Sequence, residues 1–370
     1  MDKIVFVQNM DFESVFVLKM VLGFIISFLL TYFTIPSIIK ISRRKNLMDE
    51  PTMRSSHQRK IPNLGGIAIF FALGVCAPIF AYELFDQYKF LFASLVILFF
   101  IGVTDDIVVM RAYKKLIAQI IVSVLMVVGS DVRIRSFFGL FGIFELNYYF
   151  SIFFSVLTFI VLINAFNLID GIDGLAGGYS ILSSGLFAIS FYRLGEYNFP
   201  LVVFCVIIIG SVSGFLRYNL SNVRNNKIFM GDTGSMILGF LLAFTAINFI
   251  DVFIDKGDFT KPHYHLLSAP VIALSILIIP IADTFSVILI RLMKRKSLLK
   301  PDKNHLHHRL LELNLTHRRA TLAICTIYLL VIATVYFLRQ MNVNLLFLIV
   351  FSIGMFLSFL PFLLKKLFDK

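Results

Sequence analysis

Apolar residues run along this chain in long unbroken blocks, not in the alternating or one-in-three-to-four patterns of half-buried strands and surface helices. The blocks fall at roughly 16–39, 63–83, 90–104, 115–130, 150–164, 174–192, 199–218, 234–254, 266–290, 320–338 and 343–364. A helix needs about 20 apolar residues to cross a bilayer core. The pattern therefore predicts an all-α polytopic membrane protein with about 11 transmembrane helices. The third and fifth blocks, about 15 residues each, imply local bilayer thinning or a recessed cytoplasmic surface. The stretch 132–146 alternates around glycines and predicts a small external β-hairpin. The first block is too long for a signal-peptide core and is followed by Arg43, Arg44 and Lys45, so it is expected to stay as an anchor. No linker or repeat divides the chain, and residues 1–370 are expected to form a single multi-helix domain.

Composition agrees with the pattern: 58% of residues are hydrophobic, 15% are charged and the mean hydropathy is +0.88. That excludes a disordered chain, a disulfide-rich secreted module and an ordinary cytosolic enzyme. The net charge of +12 would suggest nucleic acid in a soluble protein. Here the positive-inside rule accounts for it, and no nucleic-acid partner is expected. Of the 34 Lys and Arg residues, 25 lie in the alternate connections 40–60, 105–115, 164–173, 217–231, 291–319 and 365–370. This places those connections in the cytoplasm, with the N-terminus outside and the C-terminus inside. Cys76, Cys205 and Cys325 all fall within apolar blocks and read as inert thiols.

The few acidic residues carry most of the chemical information. Asp105-Asp106 closes the third block, and Asn164-x-x-Asn167-x-x-Asp170-Gly-x-Asp173-Gly joins the fifth to the sixth. Phe229-Met-Gly-Asp232-Thr-Gly precedes the eighth, and His305-x-His307-His308-Arg309 lies on the long basic loop after the ninth. Singly, each reads as a solvated helix end, a turn, a cap or a set of surface histidines. Together, all four fall on the side that Lys and Arg assign to the cytoplasm. Five carboxylates and three histidines on one face of an apolar chain define a hydrophilic active site facing the cytoplasm. Carboxylates without cysteine suit a hard cation, Mg²⁺ above all, shared with substrate phosphates. Such a site at a membrane surface suggests joining a water-soluble phosphate compound to a lipid. A secondary transporter would place its carboxylates near the bilayer midplane. Only Asp283, beside Pro280, sits well inside a block.

The motifs, taken in order, resemble the polyprenyl-phosphate N-acetylhexosamine-1-phosphate transferase family (glycosyltransferase family 4). The likeness runs from Asp49-Glu-Pro-x-x-Arg54-x-x-His57 and Pro62-x-x-Gly65-Gly66 through Asp105-Asp106, Lys115, the Asn164–Gly178 stretch and Asp232 to Asp302-x-x-His305-Leu-His307-His308-Arg309. Leu306 interrupts the histidines and Arg309 follows them, which resembles the bacterial undecaprenyl-phosphate N-acetylglucosaminyl-1-phosphate branch. The resemblance implies transfer of N-acetylglucosamine-1-phosphate from UDP-N-acetylglucosamine to undecaprenyl phosphate, with release of UMP. N-acetylfucosamine, N-acetylquinovosamine or MurNAc-pentapeptide donors remain alternatives. It also implies a bacterial inner-membrane location, a place in O-antigen, teichoic acid or related envelope synthesis, and room for a homodimer. The cofactor it implies is Mg²⁺, with Mn²⁺ able to substitute. Carried over by position, Asp232 and Asn167 would bind the metal. Asp105, Asp106, Lys115, Asp170 and Asp173 would be catalytic, with Asp105 and Asp106 orienting the lipid phosphate in a single displacement. Asn164, Asn167, His305, His307, His308 and Arg309 would bind substrate.

Overall fold

The computed structural model describes residues 12–48, 60–254, 266–295 and 305–368. The Asp49–His57 part of the first motif and Asp302 lie outside these residues. Every apolar block is helical: α1 (Phe12–Arg44), α2 (Gly65–Phe80), α3 (Leu91–Ile107), α4 (Ala112–Val124), α5 (Tyr148–Ile169), α6 (Leu175–Arg193), α7 (Phe199–Asn219), α8 (Gly231–Asp251), α9 (Ala269–Ile276), α10 (Ile278–Met293), α12 (His317–Leu338) and α13 (Val343–Phe368). The short α11 (Leu306–Glu312) precedes α12, and a π-type turn, Leu125–Gly129, extends α4. Among the described residues, eight helices are long and apolar enough to cross a membrane, or nine with the bent α9–α10 pair counted as one span. At 16 and 17 residues, α2 and α3 are shorter. The chain is a multi-pass helical membrane protein.

α8 is the central pillar, buried along its whole apolar length. It packs against α2, α3, α5 and α6. Glycines let these neighbours approach. A Cβ on Gly102 of α3 would come within 2.5 Å of Thr233 Cα, and one on Gly239 of α8 within 2.7 Å of Leu162 O in α5. Gly66 is pressed as closely against Gly234. Small residues at crossings are how membrane helices gain contact where no water drives them together.

The block at 266–290 reads as one continuous span, but the structure breaks it at Leu277 with a bend of 77°. Pro280 has no N–H for the carbonyl of Ile276, four residues back. That oxygen instead accepts from Tyr179 Oη at 2.8 Å and Ser183 Oγ at 3.3 Å, both on α6. Ser183 also lies 3.2 Å from Tyr328 Oη on α12. The freed backbone group is thus satisfied inside the protein, as an apolar environment requires.

At the other end of the bundle, β1 (Ser136–Leu140) and β2 (Ile143–Glu145) pair antiparallel, with Leu140 opposite Ile143. The two turn residues, Phe141 (φ +55°) and Gly142 (φ +76°), both take positive φ, and Phe138 and Gly139 do so within β1.

Candidate active site

Three connections meet where α8 begins. The Pro62–Gly66 motif lies against the approach to Asp232: Phe229 N donates to Pro62 O at 2.8 Å, Gly65 N to Phe229 O at 2.9 Å and Gly66 N to Met230 O at 2.8 Å. These bonds deliver Asp232 into the first turn of α8.

The Asp232 carboxylate is held on both oxygens. Lys115 Nζ, near the start of α4, lies 2.5 Å from Oδ2 and also pairs with Asp105 at the end of α3. Asn167, near the end of α5, donates its Nδ2 to Oδ1 and lies 3.1 Å from Ser235 Oγ. The other oxygen of Asp105 accepts from Met110 N at 2.7 Å. Asp105, Lys115, Asn167 and Asp232 therefore form one constellation drawn from four helices.

Asp106 faces a different way. Its Oδ1 accepts from Asp232 N at 2.7 Å, and its Oδ2 accepts from Thr233 N at 3.1 Å and Thr233 Oγ1 at 2.6 Å. It caps α8 from a neighbouring helix, a carboxylate set against unsatisfied N–H groups. Gly231 passes so close, at φ +74°, that a Cβ there would lie 2.6 Å from both Asp106 oxygens.

Asp173 belongs to a second cluster. It pairs with Lys227, lies 3.3 Å from His317 Nδ1, and accepts Thr321 Oγ1 on its carbonyl at 2.8 Å. Burial favours the neutral acid, but the hydrogen bonds from His317 and Lys227 outweigh it and hold the carboxyl below its ordinary range. The next residue, Gly174 (φ +78°), donates to Asn219 Oδ1 at 2.7 Å, and Asn219 Nδ2 donates to Ile228 O at 3.0 Å. The turn that carries Asp173 is thus tied to the segment that leads to Asp232. Asp170 sits between the two clusters. Burial first, and then the charges of Asp232, Asp106 and Asp173, push its carboxyl well above the usual range.

The histidines are not on an exposed loop, as the sequence suggests. They start α11 and are packed inward. His305 Nδ1 lies 2.9 Å from Asp283 Oδ2, and Asp283 Oδ1 accepts Leu306 N at 2.7 Å. The carboxylate inside the α10 block therefore anchors this short helix. His307 is 2% exposed in its buried-side environment and lies against Gly171, where any Cβ would overlap its ring. Burial, with His308 adding to it, lowers its pKa to about 3, so the ring is neutral. His308 is half-buried, its ring centroid 4.2 Å from that of His307. Arg309 turns away and donates to Ser358 O on α13 at 2.9 Å. Asn164 also points elsewhere, into a pairing with Gln119 on α4. Sequence reasoning missed Gln119, Lys227 and His317, which lie beside the motifs but outside them, and gave no role to Thr233, which lies within one.

The donors around Asp232 are hard oxygens: two carboxylates and the Asn167 carboxamide oxygen, left as an acceptor when Nδ2 turns to Asp232. Among the described residues, no group of three or more His, Cys, Asp or Glu forms a ready metal cage. Such a set fits Mg²⁺, which takes one or two carboxylates and completes its shell with water and substrate phosphate. A lysine beside these carboxylates at the end of a membrane bundle is able to bind phosphate oxygens.

Comparison with known proteins makes this specific. The sequence pattern of Glycosyl transferase family 4 matches residues 88–250. The chain is 30% identical over 345 residues to a Bacillus subtilis (strain 168) protein named "Probable undecaprenyl-phosphate N-acetylglucosaminyl 1-phosphate transferase", spanning 92% of this chain and 91% of the relative. It is 32% identical over 289 residues to the Yersinia pestis undecaprenyl-phosphate alpha-N-acetylglucosaminyl 1-phosphate transferase (76% and 74% of the two chains). For the Escherichia coli (strain K12) protein of that name, identity is 31% over 287 residues, 76% and 73%. The chain belongs to glycosyl transferase family 4, the polyprenyl-phosphate N-acetylhexosamine-1-phosphate transferases, and is a membrane phospho-sugar transferase.

Proposed function

We propose that this enzyme transfers N-acetylglucosamine-1-phosphate from UDP-N-acetylglucosamine to undecaprenyl phosphate, leaving undecaprenyl-diphospho-N-acetylglucosamine in the bilayer and releasing UMP. The observation that carries the reading is the Asp105–Lys115–Asp232–Asn167 constellation, four motif residues drawn into contact from four helices. The names of the relatives support the two substrates. The Lys and Arg distribution supports a bacterial inner-membrane enzyme whose site faces the cytoplasm, with the hairpin outside.

An oxygen of the lipid phosphate attacks the β-phosphorus of the nucleotide sugar. A new P–O bond forms, the bridging bond to the α-phosphate breaks, and the electron pair leaves with UMP. Catalysis here is mostly positioning and charge neutralisation. Lys115, steadied by Asp105, meets the incoming phosphate oxygens with a positive charge. The second pKa of a phosphate monoester is about 6, so at neutral pH the acceptor is already largely dianionic and Asp105 organises more than it deprotonates. Asp106 holds the start of α8 and thereby aims Asp232. Asp173, with Lys227 and His317, serves the nucleotide side. The neutral His307 and its neighbours His305 and His308 offer hydrogen bonds to sugar or diphosphate. Asp232 and Asn167, with Asp105 adjacent, would hold Mg²⁺, which when bound withdraws charge from the diphosphate and stabilises the leaving group.

The test uses purified protein in detergent with undecaprenyl phosphate, Mg²⁺ and a panel of radiolabelled UDP-N-acetylhexosamines. UDP-N-acetylglucosamine should give the fastest lipid labelling. Chelator should abolish turnover, and Mg²⁺ or Mn²⁺ should restore it. Asp232→Asn should lose turnover by about 10²-fold or more, as removal of a preorganised charge does. Full activity in chelator would remove the metal from the proposal. Labelling from another UDP-sugar alone would change the donor.

A further inference from the structure

We propose that Gln119 and Asn164 form a positioning clamp that sets Lys115 and Asn167 against the two oxygens of Asp232. The inference rests on the reading of that constellation as the transfer centre. It gives Asn164 a part in the reaction without contact to substrate.

The two side chains meet between α4 and α5. Asn164 Nδ2 donates to Gln119 Oε1 at 2.7 Å, and Gln119 Nε2 donates to Asn164 Oδ1 at 3.4 Å. Each end of the pair is fixed to its own helix. Asn164 Nδ2 also donates to Ile160 O at 2.8 Å, and Ser123 Oγ donates to Gln119 O at 2.6 Å. Gln119 is 2% exposed. Asn164 is half-buried, and the buried Gln119 carboxamide has little water to replace a lost partner, so the pair locks the rotation and depth of one helix against the other.

That lock sits one turn from the chemistry on both sides. Lys115 is four residues before Gln119, and Asn167 three residues after Asn164, so each shares a helix face with its half of the pair. Lys115 reaches Asp232 Oδ2 and Asn167 reaches Asp232 Oδ1. A slip of α4 against α5 would move the two grips on one carboxylate in opposite senses. Displacements of about 1 Å at a reacting centre can cost on the order of 10²-fold in rate.

The experiment is a double-mutant cycle on the full chain: Gln119→Leu, Asn164→Leu and both together. A clamp predicts that either single variant lowers kcat about 10- to 100-fold with both substrate KM values within about twofold. It also predicts that the double variant is no worse than the poorer single one, because a broken pair cannot be broken twice. The exchanged pair Gln119→Asn with Asn164→Gln keeps the summed side-chain length and should recover at least about tenfold over the singles. If Asn164→Leu raises the donor KM while Gln119→Leu does not, Asn164 binds substrate and the clamp is wrong. Multiplying losses, or an exchanged pair that melts like wild type without recovering kcat, would also overturn it. Hydrogen exchange in 112–118 gives a readout independent of the reaction: both singles should speed it equally, and unchanged exchange sinks the clamp. Failure of wild type to use any UDP-sugar would instead fault the functional reading.

Discussion

Asp105 and Asp106 are adjacent, chemically identical and indistinguishable by motif, yet the helix turns their side chains about 100° apart and gives them different work. Asp105 touches Lys115, while both oxygens of Asp106 are taken by the backbone and hydroxyl of the α8 start. Asp105→Asn should therefore lose activity with an unchanged melting temperature. On the proposed orienting role, the loss should be similar at pH 6.5 and pH 9; recovery at high pH would make it a proton acceptor. Asp106→Ala should lower both activity and melting temperature, with a stability cost on the order of 1–2 kcal/mol, as when a helix cap is removed. A melt and a turnover assay on the two variants separate these cases. At this scale the motifs single out residues that the fold brings together around Asp232, but do not show what each touches. Asn164 and Arg309 look like ligands in the motif and turn to Gln119 and Ser358. Lys227 and His317 carry no motif signal, and only the fold brings them to Asp173.

Among the elements, α11 departs furthest from its appearance in the sequence. Charge and polarity around His305–Arg309 imply an exposed loop, but Asp283 draws this segment inward. An isolated carboxylate inside an apolar block gives no sign of its partner until the chain folds. The burial of His307 has a pH consequence. Its pKa falls from 6.5 to about 3 on folding, so between those values the unfolded chain binds more protons. Its contribution to stability is intact above pH 6.5 and is lost progressively as pH falls below it. The melting temperature of wild type should thus drop more steeply from pH 7 to pH 5 than that of His307→Leu. Comparing the two slopes removes the contribution of groups common to both, Asp170 included. Parallel slopes would place His307 in contact with water. The apolar blocks themselves were plain, since each is a helix. The Leu277 break was not, because one proline in an apolar run is compatible with a kink, a break or neither until Tyr179 and Ser183 are seen on the freed Ile276 carbonyl.

Across the whole molecule, polar chemistry gathers at the start of α8 and the β-hairpin lies toward its far end, where Arg135 of the segment entering β1 pairs with Asp251. The proposed topology, supported by the Lys and Arg distribution, puts these ends on opposite sides of the membrane. In a background free of Cys76, Cys205 and Cys325, a cysteine at Val109 (94% exposed) should be blocked only by reagents that enter the cytoplasm. One at Phe144 (63% exposed) should react with an impermeant reagent from outside. The reverse pattern would invert the topology. That the apolar blocks form membrane helices was legible because hydropathy is a property of the chain itself. Their number was not, since about 11 spans were expected and, among the described residues, eight helices, or nine with the bent pair as one, are long and apolar enough to cross. The meeting of residues from four helices at the Asp232 carboxylate was not, because it depends on glycine-mediated crossings. The bend at Leu277 also constrains how this sequence can drift. Loss of the Tyr179 hydroxyl while Pro280 remains weakens the satisfaction of a carbonyl whose usual partner, the N–H four residues on, the proline lacks. Regaining an N–H at 280 while Tyr179 remains invites the helix to straighten and carry Asp283 away from His305. Neither intermediate is neutral, so the tyrosine and the proline, 101 residues apart in sequence, should be inherited as a pair.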